Sequence, residues 1–162
     1  MAVLGDTHLP RRARDIPPSA WRVINSADVV IHTGDVTDGA LLGRIGERRP
    51  LHAVRGNNDI QLAELPDHLL LDIDDVTVAV VHDSGSAPRR RERLRGRWPG
   101  ARAAVFGHSH IPLCDDDGDL LLLNPGSPTD RRRMPTFTMA VMTVSNGTVA
   151  AAIVDLGLER AR

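Results

Sequence analysis

Apolar residues in this chain come in short runs, and the turns that follow them are strongly polar. Ala2-Val3-Leu4 predicts a very short strand that ends in Gly5-Asp6-Thr7-His8, and Ser19 stands where it would cap a helix over 20–26. The near-continuous β-branched run over 28–32 predicts a buried strand ending in Thr33-Gly34-Asp35. Leu41, Leu42 and Ile45 then recur at helical spacing within 39–48, and a third strand over 51–55 delivers Gly56-Asn57-Asn58-Asp59. This βαβαβ order predicts a parallel sheet with right-handed crossovers, and it places function at the carboxyl ends of the strands. From residue 65 onward the pattern turns to strand after strand. Segments 68–73 and 76–81 form a hairpin-like pair around Asp74-Asp75, and the second delivers His82-Asp83. The arginine-rich stretch 88–97 reads as a helix with a solvated basic face. A strand over 103–106 runs into Gly107-His108-Ser109-His110, followed by Ile111 to Cys114, a turn at 115–118 and a strand over 120–123. Strands over 137–144 and 148–155 close the chain around Asn146-Gly147, a strong hairpin signal. There is no internal repeat, linker or composition break, so residues 1–162 read as one domain.

Composition removes several classes of function. The formal net charge of -1 leaves no electrostatic footprint for duplex nucleic acid or an anionic membrane. Tyr is absent and Phe and Trp number 2 each, so a stacking surface for single strands is not expected, nor is a stable nucleic-acid partner. Every basic residue is Arg, which excludes lysine Schiff-base chemistry and a P-loop lysine. The single Cys excludes an intrachain disulfide framework and a cysteine-rich zinc module. No apolar run approaches the roughly 20 residues that cross a bilayer, and the cytoplasm is the expected location.

The polar turns hold the candidate chemistry. His108 and His110 lie at i and i+2 on extended backbone, where side chains point the same way, and Asp6 and His8 repeat that spacing. His32 precedes its turn and reads as a packed strand residue. The acidic turn 115–118 lacks the later bidentate acid of a calcium loop and reads as a hairpin turn. Asp6, His8, Asp35, Asn57, His82, His108 and His110 offer oxygen and imidazole ligands without a thiolate. That set exceeds what one tetrahedral zinc needs and suits two divalent ions of the manganese, iron, nickel or zinc type. Asp35, at the end of a central strand, is the candidate to bridge them.

In the order Gly5-Asp6-Thr7-His8, Gly34-Asp35, Gly56-Asn57-Asn58-Asp59, Val81-His82, Gly107-His108-Ser109-His110 and Asn124-Pro125-Gly126-Ser127, the chain resembles the calcineurin-like metallophosphoesterase superfamily. The resemblance is to its small prokaryotic YfcE-type phosphodiesterases and covers nearly the whole chain. It implies a four-layer α/β-β/α sandwich, two mixed β-sheets flanked by helices, with a dinuclear site at the sheet edges. It further implies that Asp6, His8 and His110 hold one metal and Asn57, His82 and His108 the other, with Asp35 between them. Manganese is the expected metal, with nickel, iron or zinc as alternatives.

The implied reaction is hydrolysis of a small-molecule phosphodiester by a hydroxide bridging the two metals. Asp35, His82 and Asn58 are the expected catalytic residues, and Asn58 and Arg131 the expected substrate contacts. Many family members carry His where this chain has Asn58, which donates a hydrogen bond but cannot supply a proton near neutral pH. Asp83 stands where Gly is usual and reads as a turn residue. Three alternatives remain open at this level: a phosphomonoesterase, a dinucleoside polyphosphate hydrolase, or a non-catalytic scaffold such as trafficking proteins that resemble this family. Self-association is also compatible with the sequence.

Overall fold

A computed structural model describes residues 1–159. In chain order it contains β1 (Ala2–Leu4), α1 (Pro18–Ser26), β2 (Val30–His32), α2 (Gly39–Gly46), β3 (Leu51–Ala53), β4 (His68–Ile73) and β5 (Val76–Val81). It continues with α3 (Arg90–Arg97), β6 (Ala103–Val105), β7 (Leu113–Asp116), β8 (Leu121–Asn124), β9 (Phe137–Ser145) and β10 (Thr148–Gly157). One sheet has the order β10-β9-β1-β2-β3, the other β4-β5-β6-β8-β7. Both are mixed. The expected parallel unit β1-β2-β3 is present, and the terminal hairpin β9-β10 joins it antiparallel along β1. In the second sheet β5, β6 and β8 run parallel, with β4 and β7 antiparallel at the edges.

Three apolar clusters separate four layers, because alternate residues of each strand face opposite ways. Ala2, Leu4, Val30 and Met139 meet Ile24 of α1 with Leu41 and Ile45 of α2 in the first cluster. Their strand neighbours Val3, Ile31 and Ala140 point to the other side, where they meet Val78, Val80, Val105 and Leu123 of the second sheet. Ala79, Ala104, Phe106 and Leu122 on that sheet's outer face pack on Leu94 and Trp98. The result is the α/β-β/α sandwich expected from the resemblance.

Several boundaries differ from the sequence reading. α1 starts at Pro18 with Pro17 as its cap, and Ser19 lies inside the helix with an unpartnered hydroxyl. Prolines fix the helical φ at the start without a side-chain cap, which makes the serine cap unnecessary. Asp115 and Asp116 belong to β7, so the hairpin turn comes later, where Asp117 accepts hydrogen bonds from the backbone N–H groups of Asp119 and Leu120. The basic face of α3 is not merely solvated. Arg91 and Arg95 pair with Asp115 and Asp117 at 2.7 Å each, and Arg102 pairs with Asp116 at 2.8 Å. Basic helix and acidic hairpin neutralise each other, with exposed pairs of this kind contributing about 0–1 kcal/mol apiece.

His32 is fully buried, as expected of a packed strand residue. Its Nδ1 accepts from Gly34 N at 3.2 Å, so Nε2 carries the proton and donates to Thr7 Oγ1 at 3.2 Å. A second proton would face the Gly34 N–H, and burial pushes the His32 pKa down to about 4 from 6.5. Because the folded pKa lies below the unfolded one, the unfolded state binds more protons between these values. The stabilisation is whole above pH 6.5 and is lost as pH falls toward 4, by roughly 3 kcal/mol at about 1.36 kcal/mol per unit. In urea titrations with EDTA, His32→Gln should be less stable than the parent at pH 7 and draw level with it near pH 4.5. A stability gap that did not change with pH would contradict the assignment.

Candidate metal centre

Each sequence-predicted ligand stands just beyond the carboxyl end of a parallel strand. Asp6 and His8 follow β1, Asp35 follows β2, Asn57 follows β3, His82 follows β5, and His108 and His110 follow β6. Five of these residues adopt left-handed backbone: Asp6 (φ 54), His8 (φ 46), Asp35 (φ 55), His108 (φ 68) and His110 (φ 59). Non-glycine residues pay of order 1 kcal/mol or more for that conformation, and such costs concentrate at functional sites. The turns also need glycine. Gly34 has φ +93, and a Cβ there would lie 2.7 Å from Gly56 N and 2.9 Å from His82 Nδ1.

The seven residues meet in two adjoining groups. Asp6, His8 and His110 offer ligand atoms within 4.8 Å of one another, and so do Asp35, His82 and His108. Asn57 completes the second group, its Oδ1 lying 3.0 Å from His82 Nε2 and 2.9 Å from His108 Nδ1. In the first group His8 Nε2 and His110 Nε2 are 3.2 Å apart, and His110 Nε2 lies 3.4 Å from Asp6 Oδ1. Asp35 Oδ2 stands between the groups, 3.5 Å from His8 Nε2 and 3.5 Å from His82 Nε2.

A further set of bonds fixes these orientations. His82 Nδ1 donates to Thr33 O at 2.8 Å and His110 Nδ1 donates to Asp130 O, so both Nε2 lone pairs face inward. The backbone N–H of His108 donates to the Asp6 carboxylate at 3.0 Å and 3.1 Å. Asn58 holds Asp35 twice, its N–H to Oδ1 at 2.8 Å and its Nδ2 to Oδ2 at 2.7 Å. Asp59 closes the Gly56-Asn57-Asn58-Asp59 motif and has a role that the sequence does not announce. It is buried and accepts from Asp35 N, Gly56 N and Thr37 N at 2.7–2.8 Å, tying the turns after β2 and β3 together. Asn124 and Ser127 brace the others: Asn124 Nδ2 donates to Gly107 O and Ser127 Oγ to Asp6 O.

The electrostatics call for a cation. Burial, followed by repulsion from Asp35, raises the Asp6 pKa well above the usual carboxylate range. Burial would raise Asp35 too, but the Asn58 N–H, the His82 ring and the Asn58 amide outweigh it and hold Asp35 low. Burial lowers His8, and it takes His110 down to about 4, so these rings are neutral and ready to coordinate at pH 7. Among the described residues, only histidine ring nitrogens lie within ion-pair distance of the two carboxylates, at 3.4–3.5 Å. Two buried acids facing four imidazoles and an amide oxygen fit divalent ions that accept mixed oxygen and nitrogen ligands.

Arg131 is not in this cluster; its guanidinium bonds Met134 O. Arg132 is the loop cation whose charge reaches Asp6, His8 and His110. Asp83 is the turn residue expected, accepting from Gly85 N at 2.7 Å.

Fold and site together define a metallophosphoesterase-type sandwich with a paired donor set at its sheet edges. The chain belongs to the calcineurin-like phosphoesterase superfamily, whose domain model matches residues 1–147. It is 39% identical over 132 residues to "Probable metallophosphoesterase MJ0623" of Methanocaldococcus jannaschii, a match covering 80% of this chain and 68% of that one. Among solved structures, Vps29 of Chaetomium thermophilum superposes with a TM-score of 0.79 at 20% identity, covering 99% of this chain and 96% of that one. An archaeal phosphodiesterase superposes with a TM-score of 0.67 at 18% identity, covering 94% and 98%. At these identities the structural likeness concerns the fold.

Proposed function

We propose that this chain, as one domain over residues 1–162, is a dinuclear metal-dependent phosphodiesterase of the cytoplasm acting on a small-molecule phosphoester. The observation that carries the reading is the position of Asp35 Oδ2, 3.5 Å from an imidazole of each donor group. Asp6, His8 and His110 would hold one ion, Asn57, His82 and His108 the other, and Asp35 both. When bound, two divalent ions, manganese first and nickel, iron or zinc as alternatives, supply a hydroxide nucleophile and neutralise phosphate oxygens. Asn58 orients Asp35 and, within reach of a bound phosphate, offers a hydrogen bond but no transferable proton. Departure of the leaving group then depends on its own acidity, which favours aryl over alkyl esters.

Elemental analysis should find close to two metals per chain. Manganese should stimulate, and EDTA abolish, hydrolysis of bis-p-nitrophenyl phosphate, which should be cleaved faster than p-nitrophenyl phosphate. Two bound metals with neither compound hydrolysed would refute the phosphodiesterase reading.

A further inference from the structure

Beside the ligand cluster lies a cavity of about 280 Å³ lined by Arg11, Arg12, Thr129, Asp130, Arg131 and Arg132. Four guanidiniums face one carboxylate there. The partners already present account for two of the four. Arg12 pairs with Asp130 at 3.0 Å, and Arg131 is spent on Met134 O. The guanidiniums of Arg11 and Arg132 bond to no other described residue and are exposed to solvent. Cations gathered around one concavity repel each other, so the arrangement favours an anion that both can reach.

The cavity adjoins the site on two sides. Arg11 also lines a neighbouring cavity with Thr37 and Asn58, and Arg132 lines another with His110 and Ser109. Asp130 links the two regions directly, since its backbone O receives His110 Nδ1 while its carboxylate holds Arg12. An anion between Arg11 and Arg132 would therefore sit next to the Asp6, His8 and His110 group.

We propose that this cavity binds a second, uncleaved phosphate of the substrate, so that the preferred substrate is a phosphoester carrying at least two phosphate groups. The proposal rests on the phosphoesterase reading above for the location of the first phosphate. Planar, permanently charged guanidiniums suit phosphate oxygens, which they can bind through two parallel N–H donors. Of the substrate alternatives open from sequence, this favours the polyphosphorylated one over a simple monoester.

The test is calorimetric binding to the manganese-loaded protein of thymidine 5′-monophosphate and thymidine 3′,5′-bisphosphate, which differ by one phosphate. The bisphosphate should bind about 10- to 100-fold more tightly, the range for charge-assisted hydrogen bonds. The advantage should fall to near one in the double variant Arg11→Gln/Arg132→Gln. Equal affinities, no binding of either, or equal loss of both in the variant would overturn the proposal. Inorganic phosphate titrated alone separates a free-anion site from a substrate subsite: if it binds as tightly as the bisphosphate, the proposal also fails. Hydrolysis of bis-p-nitrophenyl phosphate is measured on the same samples. Its absence with the affinity ratio intact would sink only the hydrolase reading, and its presence with a ratio of one would sink only the second-phosphate cavity.

Discussion

Asp35→Asn should reduce the metal content to one ion per chain or fewer and lower kcat/KM for bis-p-nitrophenyl phosphate by at least ~100-fold, about 2.7 kcal/mol. The amide is nearly isosteric, and its Oδ1 can still accept from the Asn58 N–H at 2.8 Å. The loss falls on the other atom. Oδ2 faces His8 Nε2, His82 Nε2 and Asn58 Nδ2, and an NH2 there presents protons to a donor and to two lone pairs needed for metal. The backbone brace survives, because Asp35 N still donates to Asp59. The metal-free variant should also be less stable than the metal-free parent, since the Asn58 N–H, the His82 ring and the Asn58 amide favour the ionised Asp35 and the bond from Asn58 Nδ2 is lost. Elemental analysis, steady-state kinetics and thermal unfolding in EDTA read the three effects separately. A variant with two metals and full activity would remove Asp35 from its bridging position.

The seven donor positions were legible because each closes a local pattern: an apolar run sets a strand, and the first polar residues beyond it must lie at the sheet edge. The four-layer packing was legible for the same reason. Strict alternation, as in Ala103 and Val105 inward with Ala104 and Phe106 outward, gives the second sheet two apolar faces to cover. What escaped the sequence is nonlocal. The pairing of α3 with the β7-β8 hairpin joins residues more than twenty positions apart, as with Arg91 and Asp115 of β7, and no local pattern announces it. Asp59 escaped because a carboxylate that binds only backbone N–H groups looks in sequence like any turn acid. The sequence shows that Asn58 cannot supply a proton to the leaving group, but not that its amide also donates to Asp35. Arg131 is the expected substrate contact, but choosing among the three successive arginines 131–133 needs the backbone, and Arg132 has left-handed φ 48.

Gly56→Ala tests whether these turns are as tightly interlocked as the distances imply. A Cβ on Gly56 would lie 2.2 Å from Asp35 N and 2.2 Å from Asp35 Oδ1, well inside van der Waals contact. Neither side can yield cheaply. Gly56 N is held by Asp59 Oδ2 at 2.8 Å, and the same carboxylate oxygen holds Asp35 N at 2.8 Å. The methyl must therefore push Asp35 away from His8 and His82 or break both bonds to Asp59. Overpacking combined with a disrupted buried network predicts a loss of roughly 3 kcal/mol or more, with metal binding lost alongside it. The control is Gly43→Ala in α2, where a Cβ meets nothing within 4 Å. There the substitution only removes glycine's backbone entropy from a helix interior and should stabilise by about 0.5–1 kcal/mol. Urea unfolding of both variants, with metal analysis of each, separates a steric clash at the site from a general intolerance of alanine. If Gly56→Ala unfolded within about 0.5 kcal/mol of the parent, the range of ordinary surface substitutions, and retained two metals, the interlocking of Asp35, Gly56 and Asp59 would be disproved.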